Sequence, residues 1–146
     1  MKAVIQRVKE ASVEVGGQVV GKIGHGLLVF LGIGRDDVQK DIDWMIEKII
    51  HVRIFEREDR FDMSLLDMKG ELLLVSQFTL YGDCSKGRRP SFSDAMQVDE
   101  ARELFEVFVA KAREKVVRVE AGIFQAHMDV NLINDGPVTL IIDSKF

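Results

Sequence analysis

The chain has 146 residues, 47% of them hydrophobic and 30% charged, with a net charge of −4. That length predicts one domain, residues 1–146, able to bury roughly 70% of its unfolded surface. The acidic balance argues against a protein that grips nucleic acid through a broad basic face.

Near the start, AVIQRV and ASVEV alternate as strands, and Gly16-Gly17 supplies a hairpin turn into QVVGKI because glycine tolerates positive φ. GLLVFLGI, residues 26–33, is a continuous apolar run expected of a strand covered on both faces. Asp36 or Asp37 then caps a helix running to about His51, with Val38, Ile42, Met45, Ile46, Ile49 and Ile50 on its core face. VRIFE reads as a short strand, and a polar stretch runs to Gly70. ELLLVSQFTL, residues 71–80, reads as a buried strand throughout. A second helix over 99–115 aligns Ala101, Leu104, Phe105, Phe108, Val109 and Ala112. The tail reads as three further strands, with a tight Asn-Asp-Gly turn feeding the last, VTLIID. These elements predict an α/β class fold: mixed β-sheets in layers, with two main amphipathic helices covering one side.

The longest apolar runs are too short to span a bilayer. MKAVIQRVKEASVEV alternates apolar and charged residues where a signal peptide would be continuously apolar. With Cys84 as the only cysteine, no internal disulfide is possible, which fits a reducing compartment. A cytoplasmic protein without membrane contacts is therefore expected. His25, His51 and His127 offer no metal-ligand spacing, and no metal or other cofactor is predicted.

Cys84 lies beside Lys86, Arg88 and Arg89, cations that favour a thiolate, but no base falls on a neighbouring segment, so a plain loop cysteine is the better reading. There is no Gly-x-Ser-x-Gly elbow, and in AHMDV the alternation points His127 towards solvent. Ser76, Gln77 and Thr79 end a buried strand, where polar groups either meet partners or line a site. KGRRPSF is either a solvated loop or a phosphate contact with Phe92 packed nearby. In NDGPV, Pro137 either opens an edge strand or stiffens a functional tip.

SQFTL, followed by KGRRPSFS and NDGPVT, with IQRV near the start, closely resembles the D-aminoacyl-tRNA deacylases over essentially the whole chain. The resemblance implies a homodimer that hydrolyses the ester joining a D-amino acid to the terminal ribose of tRNA, and that refuses L-aminoacyl-tRNA. It implies that Ser76, Gln77, Phe78 and Thr79 line the catalytic pocket. It further implies that a Gly136–Pro137 pair with a cis bond enters the other subunit's site, fixed in orientation by Arg7. Phe124 and Met128 are implied to pack against the terminal adenine, and Lys86, Arg88 and Arg89 to meet tRNA.

An aminoacyl ester is already activated, and the ribose 2′-OH can assist attack by water. Positioning and backbone N–H groups near Phe78 and Thr79 then suffice, with Thr79 not expected to be a nucleophile. Selection by exclusion would leave glycyl-tRNA as a second substrate. Two rival readings are a non-catalytic RNA-binding module and a thiol hydrolase built on Cys84.

Overall fold

The computed structural model describes Met1–Lys145. β1 (Lys2–Val15) runs along the middle of a six-stranded sheet, bonded antiparallel to β2 (Gln18–Ile23) and β3 (Gly26–Gly32) on one edge and to β8 (Asp129–Asp143) on the other. Gly16 (φ +57°) and Gly17 (φ +79°) make the β1–β2 turn. Positive φ at both central residues is what a two-residue hairpin needs to match strand twist, as the sequence predicts.

β3 pairs parallel with β6 (Glu71–Ser76), and β6 pairs parallel with β7 (Val119–Ala121). Parallel neighbours need long crossovers. The first carries α1 (Gln39–His51) and the small hairpin of β4 (Phe55–Arg57) and β5 (Arg60–Met63). The second carries a short 3₁₀ helix (Phe78–Tyr81) and α2 (Val98–Lys115).

The α/β layering holds. Ala3, Ile5, Leu27, Val29, Leu31, Leu72 and Leu74 face one core shared with the apolar stripes of both helices. The sheet's other face curls over a second core of Val8, Ala11, Val13, Ile23, Leu28, Leu73 and Val75. β3 is therefore covered on both faces. Within β1 the residues facing this second core switch from even (Val8) to odd (Ala11, Val13), where the register against β8 shifts. No helix among the described residues is long and apolar enough to cross a membrane.

Several sequence expectations are corrected. α1 is not capped by Asp36 or Asp37: it starts at Gln39, and Asp41 accepts the Val38 N–H at 2.9 Å. Asp37 is buried and instead accepts from the Met1 ammonium (2.6 Å) and the Gly34 N–H (2.6 Å). Val38, ahead of the helix, is exposed. Leu104 is only half-buried at the edge of its stripe. The polar stretch before Gly70 includes a strand, β5. Among the described residues the tail holds two strands, β7 (Val119–Ala121) and β8, where three were expected.

The Asn-Asp-Gly turn does not exist as a hairpin. β8 runs through it on a single partner, because β1 is long enough to pair with both halves. Gln6 faces Thr139 and Val8 faces Asn134, so residues 135–138 stand opposite Arg7 alone and bulge outward. Asn134 closes the bulge: its Oδ1 accepts the Val138 N–H at 2.7 Å, and its Nδ2 donates to the Val138 carbonyl at 3.2 Å.

Candidate active site

The strand expected over 71–80 stops at Ser76. Its partner β3 ends at Gly32, and after Gln77 N–H donates to the Leu31 carbonyl at 2.8 Å the chain has no ladder left to follow. It folds into the 3₁₀ helix, which sits down on two glycines. A Cβ on Gly32 would lie 3.0 Å from the Gln77 oxygen and 3.1 Å from Leu80 Cβ. One on Gly34 would lie 2.5 Å from Tyr81 Oη. Burial, with Asp37 close by, pushes the Tyr81 phenol upward, so Tyr81 stays protonated and its hydroxyl stands 3.5 Å from Asp37 Oδ2.

The first N–H groups of a helical turn have no partner within it. Those of Phe78 and Thr79 find no acceptor among the described residues. The two residues are exposed, and Gln77 Nε2 donates to Thr79 Oγ1 at 2.5 Å. Beside them opens a cleft of about 640 Å³. Val75, Ser76, Gln77 and Phe78 form one side, the start of α2 with Met96, Gln97 and Ala101 a second, and Phe124, Gln125 and Met128 a third. Phe92 closes a corner, its ring edge-on to Phe78 with centroids 5.0 Å apart.

The structure thus gathers Ser76, Gln77, Phe78, Phe124 and Met128 around one cavity, with Thr79 next in the chain. The α2 wall and Gln125 were not anticipated. Ala101 is one of two alanines in the α2 stripe, and Ala112 is buried in the core, so residue size alone does not mark the cavity; an exposed loop glutamine carries no sequence signal either.

Lys86, Arg88 and Arg89 project from an exposed loop leading to Phe92. The loop is pinched by paired backbone bonds between Asp83 and Ser91 (2.8 and 3.0 Å). Among the described residues, none of these three cations has an acidic partner within salt-bridge distance. Cys84 is exposed in the same loop and does not line the cleft. His127 stands at the rim, its side chain 95% exposed as its alternation predicts, with Nε2 3.7 Å from Asp129.

Gly136 and Pro137 are joined by a cis bond and are exposed at the crest of the β8 bulge. They do not line this chain's own cleft. Beneath them lies Arg7, 5% exposed. Its Nε donates to the Asp135 carbonyl (2.8 Å) and its Nη1 to the Ile54 carbonyl (2.7 Å), while Glu56 accepts at 3.4 Å. A Cβ on Gly136 (φ +147°) would meet Arg7 Nη2 at 3.3 Å. On the far side, His25 Nε2 lies 3.5 Å from Asp135 Oδ2.

Residues 4–143 match the family model described as D-Tyr-tRNA(Tyr) deacylase. The chain is 58% identical to the D-aminoacyl-tRNA deacylase of Kosmotoga olearia, over 99% of this chain and 98% of that protein. It is 59% identical to the D-aminoacyl-tRNA deacylase of Thermosipho africanus, with the same coverage. A solved structure of a c-Myc DNA unwinding element binding protein superposes with a TM-score of 0.93 at 41% identity, covering 98% of each chain. A probable eukaryotic D-amino acid tRNA deacylase superposes with a TM-score of 0.83 at 18% identity over 97% of each chain, a likeness of fold. The chain belongs to the D-Tyr-tRNA(Tyr) deacylase family.

Proposed function

We propose that this chain, acting as one domain over residues 1–146, hydrolyses the ester between a D-amino acid and the terminal ribose of tRNA. The observation that carries the reading is the pair of N–H groups at Phe78 and Thr79, without an acceptor among the described residues, at the edge of a cleft of about 640 Å³ that Phe78 lines. Family membership narrows the substrate to an aminoacyl ester. Water attacks the ester carbonyl carbon, assisted by the neighbouring ribose 2′-OH. The two N–H groups stabilise the oxyanion that forms. Collapse breaks the bond to the ribose oxygen, which takes a proton and leaves with the tRNA. Thr79 Oγ1 is already engaged by Gln77, which supports a positioning role over a nucleophilic one.

The chirality filter is the Gly136–Pro137 tip of a second copy. The tip is exposed, stands on the rigid Arg7 support and is absent from its own cleft, which supports a two-fold homodimer with two equivalent sites. Its backbone carbonyls hold the substrate's amino group and leave room for hydrogen, not a side chain, on the L side. Phe124 and Met128 receive the terminal adenine, and Lys86, Arg88 and Arg89 meet tRNA phosphates. The enzyme works in the cytoplasm, where charged tRNA is used.

The test is deacylation of matched D- and L-tyrosyl-tRNA by the purified protein. Release of D-tyrosine with L-tyrosyl-tRNA spared is expected. Equal hydrolysis of both, or of neither, would overturn the reading.

A further inference from the structure

On α2, Arg102 is outside the cleft but touches two residues that line it. Its Nη2 donates to Gln125 Oε1 at 2.9 Å, and its guanidinium carbon lies 4.9 Å from the centre of the Phe124 ring. Phe105, also on α2, packs against that ring with centroids 5.8 Å apart. Gln125 has φ +67°, a left-handed conformation that costs a side chain with Cβ some strain. Nothing in the sequence of this loop favours that conformation. The turn around it is closed by one backbone bond, from Ala126 N–H to the Ile123 carbonyl at 3.2 Å. Phe105 and Arg102 both reach the loop from α2, and Arg102 is the one that contacts Phe124 and Gln125 together, because its planar fork can stack on a ring and donate sideways at once.

We infer that Arg102 is a positioning residue for the substrate's terminal nucleobase: it holds Phe124 and Gln125 as a preformed wall against which the base packs. The inference rests on the proposed deacylase reading. Unpaired bases are received on aromatic surfaces, and a surface already ordered loses less entropy on binding. Loss of Arg102 should therefore weaken binding of substrates that carry a base and leave the ester chemistry alone.

The experiment uses two small esters, D-tyrosyl-adenosine and the D-tyrosyl ester of 1,4-anhydroribitol, which has the ribose hydroxyls but no base. In Arg102→Met, KM for the adenosine ester should rise about five- to tenfold with kcat within about twofold, and kcat/KM for the base-free ester should stay at the wild-type value. Gln125→Gly removes the acceptor while accepting φ +67°, so it should give the same base-dependent rise without strain. Arg102→Lys, which keeps the cation but not the fork, should recover part of the loss. An equal effect on both esters, or none on either, would overturn the inference and leave the deacylase reading standing. A wild-type protein that hydrolyses neither ester nor D-tyrosyl-tRNA would overturn both.

Discussion

Arg7 and Asp135 face each other across the β1–β8 ladder, with Arg7 Nε donating to the Asp135 carbonyl at 2.8 Å. This bond joins the buried floor of the sheet to the residue immediately before the exposed Gly136–Pro137 tip. The guanidinium is itself fixed by the Ile54 carbonyl at 2.7 Å, so the support is anchored on a separate segment, just before β4. Arg7→Lys keeps the charge but cannot serve three acceptors with a fixed fork. The variant should lose about 2 kcal/mol of stability through groups left unpaired. Its kcat/KM for D-tyrosyl-tRNA should fall at least about tenfold, a loss of about 1.4 kcal/mol in transition-state binding. Thermal melting and deacylation kinetics check the two effects separately.

Gly34 and Tyr81 offer a second test of how the site is seated. A methyl at position 34 would stand 2.5 Å from Tyr81 Oη and 2.7 Å from its Cζ. Lys2 Nζ lies 4.7 Å from the ring centre, and moving the ring would also part Tyr81 Oη from Asp37 Oδ2 at 3.5 Å. Gly34→Ala must therefore push the 3₁₀ helix away from the end of β3. It should cost about 1–3 kcal/mol of stability, as overpacking does. Turnover should fall as well, because the helix carries the N–H groups of Phe78 and Thr79. Wild-type turnover in a well-folded Gly34→Ala protein would mean that the seating of this helix does not matter to catalysis.

The sequence made most of the strands legible, and the reason is local. Alternation in β1 and β2, continuous burial in β3 and β6, and the helical stripes are set by which face each residue must hide. What stayed illegible depends on partners far along the chain. NDG carries turn chemistry, and only the length of β1, more than a hundred residues earlier, turns it into a bulge. The polar end of SQFTL reads as strand until Gly32 is seen to end its partner. Ser76 and Gln77 stand out as polar residues ending an apolar strand, whereas Phe78 and Arg7 are marked as site residues only by motif resemblance. Arg102 and Gln125 form a pair between a helix and a loop that no local pattern links.

Asp41 should shape the acid limb of the stability curve. Burial alone would raise its carboxyl, but Lys145, the Val38 N–H and Ser144 all favour the anion and hold it at about 2, below the ordinary 3.8. A carboxylate with a lowered folded pKa stabilises above its unfolded value and loses that contribution as pH falls through the folded one. The contribution here is about 2 kcal/mol at neutral pH, fading between about pH 4 and pH 2. Asp41→Asn should lower the midpoint of urea unfolding at pH 7. Its deficit relative to the wild type should shrink towards pH 2. A deficit that does not change with pH would place the effect in packing, not in charge.

Glycine is the sharpest probe of the tip. If the backbone carbonyls of Gly136 and Pro137 hold the substrate's amino group, they meet hydrogen on the L side of a D-amino acid and a side chain on that side of an L-amino acid. A clash with rigid backbone is costly, and each 1.4 kcal/mol is about tenfold in rate. Glycine presents hydrogen on both sides, so a filter that works only by exclusion has nothing to refuse. Glycyl-tRNA should therefore be hydrolysed by the purified protein within about tenfold of D-alanyl-tRNA, while L-alanyl-tRNA, larger than glycyl-tRNA by one methyl group, survives. Single-turnover deacylation of the three substrates at equal enzyme concentration measures this directly. If glycyl-tRNA proved as resistant as L-alanyl-tRNA, the cleft would have to recognise the D side chain by positive contact. The side chain would then pack against the apolar wall near Phe78 and Phe92, and the tip would only orient the amino group.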